Sequence, residues 1–258
     1  ENQAERLSKL PAKAWPCNTL GNHDNPRMRS QFGDGVHDEA INRVNLMLLL
    51  TLKGTAFLFN GEELGMSNVT ITSLEDFVDP IGLWVYDLEK RVMGSDEATA
   101  VRVAAERSRD RGRNPMQWSA AANGGFCPAG IKPWLPLNPD FAQGVSYEDE
   151  VKRADSTWNF YRNLIAWRKA SQALQLGEQD FIETAEETLL AYTRKLKEEA
   201  CLILLNMGDA ELTYDVSSFV TQGPAEMFFT QPSNMKLQGQ LLKLAGHTGA
   251  ILKIRELT

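Results

Sequence analysis

The chain has 258 residues, 43% of them hydrophobic, and 27 Lys and Arg against 34 Asp and Glu give a formal net charge of −7. This composition supports one large domain or two smaller ones, and an acidic chain without a basic run disfavours nucleic acid as a partner. The longest apolar run, Leu46 to Leu52, is too short to span a bilayer, and the polar start lacks a signal peptide. We therefore expect no membrane association.

The three cysteines, Cys17, Cys127 and Cys201, are odd in number, far apart and without metal-ligand spacing. Such thiols fit a reducing compartment, which favours a cytoplasmic location. We expect no metal and no cofactor. The chain starts at Glu1 rather than at a methionine, so we also expect a fragment or a processed chain.

The first third of the chain alternates strand and helix. Residues 1–13 are typical of the end of a polar helix, and residues 14–20 of a short buried strand that opens into a loop at Gly21. Residues 38–52 predict an increasingly apolar helix, and residues 55–59 a second buried strand. Because the joins are short, this βαβ pattern predicts that the two strands are parallel neighbours.

Residues 64–150 show little periodicity and contain six prolines. We expect a long, functional loop region, because its tryptophans argue against disorder. A helix follows, capped by Asp155 or Ser156 and apolar on one face between residues 160 and 167.

From residue 177 the pattern changes to short apolar or alternating runs separated by turns. In the last run Ala250, Leu252 and Ile254 alternate with charged residues. This is typical of an antiparallel β-sandwich. We therefore divide the chain into residues 1–176 and residues 177–258.

The most distinctive motif is Asn22, His23 and Asp24, directly after the first predicted strand, with Arg27 close behind. Amide, imidazole and carboxylate groups can bond neighbouring sugar hydroxyls, and a fixed carboxylate stabilises developing positive charge. The same residues also favour an Asx turn, so the motif alone leaves turn and site open.

Three segments occur in order along the chain: Trp15 to Arg27, Gly54 to Met66 and Ser108 to Trp118, with Trp134 to Leu137 and Leu164 to Lys169 after them. Together they resemble the exo-acting α-glucosidases of the α-amylase superfamily. Ala56, Asn60 and Asn114 depart from the residues usual there.

The resemblance implies the C-terminal part of a (β/α)₈ TIM barrel, followed by the sandwich. Barrel sites lie on loops at the carboxyl ends of the strands. By the resemblance, Asp24 is the carboxylate that binds sugar hydroxyls and supports an oxocarbenium-like transition state. The implied substrate-binding residues are Asn22, His23, Arg27, Glu62 and Arg109.

Structural roles remain open beside these. Asp24 could cap a turn, Arg109 could form an ion pair with Asp110, and one of Glu62 and Glu63 could cap a helix. Trp118 and Trp134 are expected in a loop core rather than as sugar platforms.

Retaining hydrolysis needs a nucleophile and an acid/base carboxylate, and in this family both come from strands that precede Asp24. No matching motif is present. We therefore expect part of an α-glucosidase that acts on terminal α-linked glucose in oligosaccharides. It would be inactive alone and would need the N-terminal barrel half as its partner.

Three alternatives stay open. The first is a non-catalytic relative, similar to the heavy subunits of amino-acid transporters. The second is a transglycosylase or a sucrose or trehalose isomerase of the same superfamily. The third is a lectin-like module formed by residues 178–258.

Overall fold

A computed structural model describes residues 5, 8–11, 14–219, 226–232 and 235–254. The chain forms two compact units, described separately below. The first comprises Glu1–Leu20, Asp34–Phe57 and Phe160–Thr258, and the second comprises Gly21–Gly33 and Leu58–Asn159. The division at residue 177 stays a prediction. The helix predicted over residues 1–13 falls largely outside the described residues.

The described elements follow in chain order. The helices are α1 (Met28–Phe32), α2 (Asp38–Thr51), α3 (Pro80–Leu88, continued by the π-turn Glu89–Met93), α4 (Glu97–Arg107), α5 (Tyr147–Glu150), α6 (Thr157–Ala170) and α7 (Gln172–Leu176). The strands are β1 (Cys17–Thr19), β2 (Thr55–Phe57), β3 (Glu178–Ile182), β4 (Leu189–Leu196), β5 (Glu199–Asn206), β6 (Leu212–Asp215), β7 (Glu226–Gln231), β8 (Leu237–Gln238), β9 (Leu241–Leu244) and β10 (Thr248–Ile254).

Strands β1 and β2 are parallel neighbours, with Cys17 opposite Thr55, which confirms the βαβ prediction. The strands are not buried as predicted, because the side chain of Phe57 is 53% exposed and Cys17 is also exposed. The reason is that β1 and β2 form a sheet of only two strands among the described residues. Parallel strands become buried on both faces only within a larger covered sheet.

Helix α2 matches the predicted helix, and two arginines of the first unit hold its C-terminal end. Arg194 donates from Nη1 to the Thr51 carbonyl at 2.6 Å. Arg168 donates to the carbonyls of Leu50 and Gly54, the latter at 2.8 Å. The last carbonyls of a helix lack partners within it, and cations there also complement the helix dipole. These bonds attach α2 to β4 and α6.

The C-terminal region contains two antiparallel sheets, as predicted. The five-stranded sheet has the order β3-β4-β5-β10-β7 and the three-stranded sheet the order β6-β9-β8. The alternating Ala250, Leu252 and Ile254 face the core that the two sheets share. Ile251, on the opposite face of β10, is also buried, on the side where α2 packs against this strand. The prediction did not anticipate the short β8–β9 pairing.

The second unit corrects the prediction of a loop over residues 64–150, since α3 and α4 lie within it. Pro80 occupies the first turn of α3, where its missing N–H costs nothing, and Asp79 caps that turn by accepting from the Ile81 N–H at 3.3 Å. Asp96 caps α4 through the Thr99 N–H. Both helices pack on one small core: Val69, Ile71, Phe77, Val85, Val101 and Ala104.

Helix α6 confirms the predicted helix. Of the two predicted caps, Ser156 is the one that forms, because its Oγ accepts from the Asn159 N–H at 3.1 Å. No helix in the described part of the chain has the length and apolarity that a membrane span requires.

Candidate functional site

The loop after β1 is organised by the Asn22 side chain. Its Oδ1 accepts from the Asp24 N–H at 2.8 Å and from Asn25 Nδ2 at 3.1 Å, and Asn25 N–H also donates to the Asn22 carbonyl. The Asx-turn interpretation therefore holds for Asn22. This turn fixes the backbone from which the next two side chains project, so turn and site are compatible here.

Asp24 projects from this turn, which belongs to the second unit, and its carboxylate is 52% exposed. One oxygen, Oδ1, accepts from Arg113 Nη2 at 2.8 Å and from Arg109 Nη1 at 3.2 Å. Its pKa is lowered because, against the opposing effect of desolvation, hydrogen bonds from Arg109 and Arg113 and the charge of His23 favour the anion. Asp24 is thus a fixed anion that still faces solvent.

His23 lies beside this carboxylate, with its Nε2 3.6 Å from Asp24 Oδ2. Its side chain is 67% exposed, and its carbonyl accepts from Arg113 Nε at 2.7 Å. Arg113 therefore bridges the backbone of one residue and the carboxylate of the next, which holds His23 and Asp24 together. Sequence reasoning did not identify Arg113 as a site residue.

Arg109 is oriented by Asp79, a second residue that the sequence did not reveal. Asp79 Oδ2 accepts from Arg109 Nε at 3.0 Å and Oδ1 from Nη2 at 2.6 Å, a bidentate pair, and Oδ2 also accepts the Arg109 N–H at 2.9 Å. The Asp79 side chain is fully buried, and the hydrogen bond from Arg109 leads the causes that lower its pKa to about 2. The Asp79–Pro80 pair could have signalled a helix cap, though not this partner.

The alternative that Arg109 forms an ion pair with Asp110 was wrong, because Arg109 pairs with Asp79 and Asp24. Asp110 Oδ2 instead accepts from the N–H groups of Val78 and Asp79 at 2.8 and 2.7 Å. It thereby holds the segment that carries Asp79. The two consecutive residues therefore act separately: Arg109 pairs with Asp24, and Asp110 positions the segment that carries Asp79.

Arg27 is fully buried, and protein groups satisfy its guanidinium. It donates from Nε to Asn114 Oδ1 at 2.6 Å, from Nη1 to the Asn60 carbonyl at 2.7 Å and from Nη2 to the Asn114 carbonyl at 3.2 Å. It also lies 5.0 Å from the ring centroid of Phe59. Burial lowers its pKa to about 10. Arg27 thus joins three motif segments, and a direct contact with sugar stays a prediction.

Glu62 and Glu63 bind backbone N–H groups of the turn that precedes them rather than those of a helix's first turn. Glu62 Oε2 accepts from the Phe59 N–H at 3.0 Å, and Glu63 Oε2 accepts from the Gly61 N–H at 2.8 Å. Gly61 has φ of 91°, which favours glycine in this turn. Burial raises the pKa of Glu62 to about 7. Its predicted substrate contact stays a prediction, since its side chain is buried.

A cavity of about 220 Å³ lies beside Asp24, and it is smaller than the roughly 300–1,000 Å³ of ordinary ligand pockets. Its lining residues are Asp24, Asn25, Pro26, Glu106, Arg107, Ser108, Arg109 and Arg111. A larger cavity of about 1010 Å³ lies between residues 68–75 and α4, and no predicted site residue lines it. We therefore favour the smaller cavity as the candidate sugar site, because the motif residues Asp24 and Arg109 line it.

Trp118 and Trp134 do not form a loop core as expected, since they are 46% and 60% exposed. Trp134 donates from Nε1 to the Arg113 carbonyl at 3.2 Å and meets the Phe126 ring edge-on at 4.8 Å between centroids. One exposed indole is thus attached directly to a residue that holds Asp24.

The motif geometry agrees with a family comparison. A family model described as the alpha-amylase catalytic domain matches residues 1–177. The chain belongs to the α-amylase family. Among curated relatives, it is 29% identical over 235 residues to the probable oligo-1,6-glucosidase 2 of Bacillus subtilis, covering 91% of this chain and 41% of that protein. It is 32% identical over 202 residues to the oligo-1,6-glucosidase of Parageobacillus thermoglucosidasius, covering 78% and 35%.

Solved structures of the α-amylase family confirm the fold class. The trehalulose synthase MutB of Pseudomonas mesoacidophila superposes with a TM-score of 0.81 at 30% identity, covering 98% of this chain and 45% of that chain. An isomaltulose synthase variant of Erwinia rhapontici, solved with sucrose, gives 0.82 at 27% identity, covering 99% and 45%. The chain thus spans less than half the length of these relatives, and it is the C-terminal part of the barrel with the β-sandwich.

Proposed function

We propose that this chain is the C-terminal part of a retaining α-glucosidase that removes terminal α-linked glucose from oligosaccharides. The observation that carries the proposal is the Asp24 carboxylate, fixed as an anion by Arg109 and Arg113 at the mouth of a cavity. The oligo-1,6-glucosidase relatives support this activity.

In this proposal Asp24 accepts hydrogen bonds from two neighbouring glucose hydroxyls through the face that the arginines leave open. These bonds shorten as positive charge develops at the anomeric carbon, because a preorganised anion stabilises that charge without reorganising. His23 donates to a hydroxyl of the same unit. Arg109 and Arg113 keep Asp24 from rotating away, and Asp79 keeps Arg109 in place.

The nucleophile and the acid/base would come from the N-terminal barrel half. Double displacement needs two carboxyl groups roughly 5–5.5 Å apart, beside the residue that stabilises charge. Among the described residues that line the cavity, the acids are Asp24 and Glu106. Glu106 pairs with Arg102 at 3.0 Å on the same helix. Asp24 would therefore be the one working carboxylate that this chain supplies.

The test joins this chain to the N-terminal barrel half of the Bacillus subtilis relative and measures 4-nitrophenol release from the aryl α-glucoside. We expect no hydrolysis by the chain alone, hydrolysis by the hybrid, and a kcat/KM about 10²–10³ lower for Asp24→Asn in the hybrid. Asp87→Asn removes an exposed carboxylate paired with Arg91 and should leave the rate unchanged. Robust turnover by the lone chain, or full turnover by Asp24→Asn, would contradict the assignment.

A second candidate function is isomerisation of sucrose, favoured by the likeness to trehalulose and isomaltulose synthases. The hybrid incubated with sucrose would then release an isomeric disaccharide instead of glucose and fructose, which chromatography of the products distinguishes. A folded hybrid that converts neither substrate would favour a non-catalytic relative instead.

The remaining parts of the proposal concern partners and location. The partners are an α-glucoside and the N-terminal barrel half, with neither nucleic acid nor a membrane involved. A cytoplasmic location is supported by the three free cysteines. Staining of fractionated cells with an antibody against this chain tests the location.

A further inference from the structure

Three side chains of the first unit, two from one loop and one from a distant turn of the chain, converge outside the candidate sugar site. They are Asp34 and His37, in the loop before α2, and His247, in the turn between β9 and β10. Each offers one ligand atom, and the three atoms lie within 4.8 Å of one another. Two imidazoles and a carboxylate are a ligand set for first-row transition metals such as zinc.

We propose that Asp34, His37 and His247 bind a divalent transition-metal ion, with zinc as the representative, and thereby connect the loop before α2 to the β9–β10 turn. The proposal is independent of the sugar chemistry at Asp24. It also departs from the sequence-based expectation of no metal, which rested on the spacing of the cysteines.

The distances favour a common ion. Asp34 Oδ2 and His37 Nδ1 are 2.8 Å apart, and the rings of His37 and His247 lie 5.4 Å apart between centroids. Tetrahedral ligands about 2.1 Å from zinc lie about 3.4 Å apart. Small side-chain rotations would bring the histidines to this spacing and replace the Asp34–His37 hydrogen bond with bonds to the ion. His37 and Asp34 are 52% and 42% exposed, so an ion reaches them without opening the fold.

The backbone holds two of the ligands ready. Asp34 Oδ1 accepts from the N–H groups of Val36 and His37 at 2.8 and 2.6 Å, which orients the carboxylate. His247 has φ of 52°, and its N–H donates to the Gly208 carbonyl at 2.8 Å.

The identity of the ion follows from the ligands. Magnesium and calcium prefer sets of oxygen ligands, whereas imidazole suits zinc, cobalt, nickel and copper. Three protein ligands leave a fourth position for water or another group. Because α2 packs on β10 and β5, an ion here would reinforce a contact that the first unit already makes.

The test is calorimetric titration of the full 258-residue chain, and of the hybrid, with zinc chloride. We expect one zinc ion per chain, and affinity at least about tenfold weaker in His37→Ala and in His247→Ala. His23→Ala is the matched control, because His23 is the one histidine of the chain that lies outside the cluster. It should bind zinc within about twofold of the parent chain.

Two further measurements keep the test decisive if a variant is less stable. Zinc should raise the Tm of the parent and of His23→Ala but not of the two cluster variants, as expected for a ligand of the folded state. Cobalt bound to the parent should show the visible bands of a four-coordinate site. Equal zinc affinity in parent and cluster variants, or cobalt bands unchanged in His37→Ala, would overturn the proposal.

Discussion

Replacing Asp79 with alanine removes the group that orients Arg109. The substitution deletes a bidentate ion pair whose acid is fully buried, and it deletes the cap of α3. Breaking a fully buried pair costs about 3–5 kcal/mol, but Arg109 is 31% exposed, so we reduce this to about 1–2 kcal/mol. The lost cap adds about 1 kcal/mol, so we expect a loss of about 2–3 kcal/mol.

The lowered pKa of Asp79 gives a similar value for the stability lost in Asp79→Ala. A pKa lowered from 3.8 to about 2 corresponds to about 2 kcal/mol of added stability for the folded chain with Asp79 ionised. Because the folded-state pKa is the lower one, this stability is present above about pH 4 and is lost as the pH falls towards 2. Asp79→Ala should therefore destabilise strongly at pH 7 and much less at pH 2.

Thermal unfolding followed by circular dichroism checks this in the chain and in the hybrid. At about 2–4 °C per kcal/mol for a protein of 150–250 residues, we expect the Tm of the chain to fall by about 4–12 °C. The control is Asp87→Ala, which removes an exposed pair on α3 and should change the Tm by little. A Tm shift equal to that of the control would refute the role assigned to Asp79.

Three further predictions address the loops around the site. Because the raised pKa disfavours ionised Glu62, the parent should lose up to about 3 kcal/mol of stability as the pH rises from about 4.5 through 7. Glu62→Gln should abolish this loss, which urea unfolding at pH 5 and pH 8 measures. Gly61→Ala should cost about 1–3 kcal/mol, since its Cβ would lie 2.4 Å from a methionine sulfur at φ of 91°, whereas Gly130→Ala meets open space and should be neutral in the same unfolding assay. Arg113→Ala should raise the pKa of Asp24 in a carboxyl NMR titration, and an unchanged pKa would contradict the pairing.

Local patterns in the sequence predict the fold well where one strong signal dominates. The runs that became β1, α2 and β2 are apolar and bounded by glycine, and the alternation in β10 marks a sheet core. Helices α3 and α4 were missed for the opposite reason. Pro80 was taken as a breaker although it occupies the first turn, and α4 buries the small Ala100 and Ala104 beside Val101 instead of a row of large residues.

The site was predicted in part for a different reason. The family resemblance located Asp24 and Arg109, and the structure brings them together at 3.2 Å. Asp79 and Arg113 were missed because their roles depend on contacts between residues far apart in the chain, which no local pattern records. The exposure of Trp134 was missed because an indole in a Pro-rich segment fits a loop core equally well.

The short β1–β2 pair has a consequence for handling the protein. Each strand pairs only with the other among the described residues, and Phe57 is 53% exposed, so two open strand edges flank an apolar surface. Open edges of this kind template pairing with any extended segment nearby. Chain produced alone would therefore lose part of its soluble yield to aggregation, whereas synthesis together with the N-terminal barrel half would occupy those edges while both halves fold. The yield of soluble chain would then be a direct measure of strand complementation.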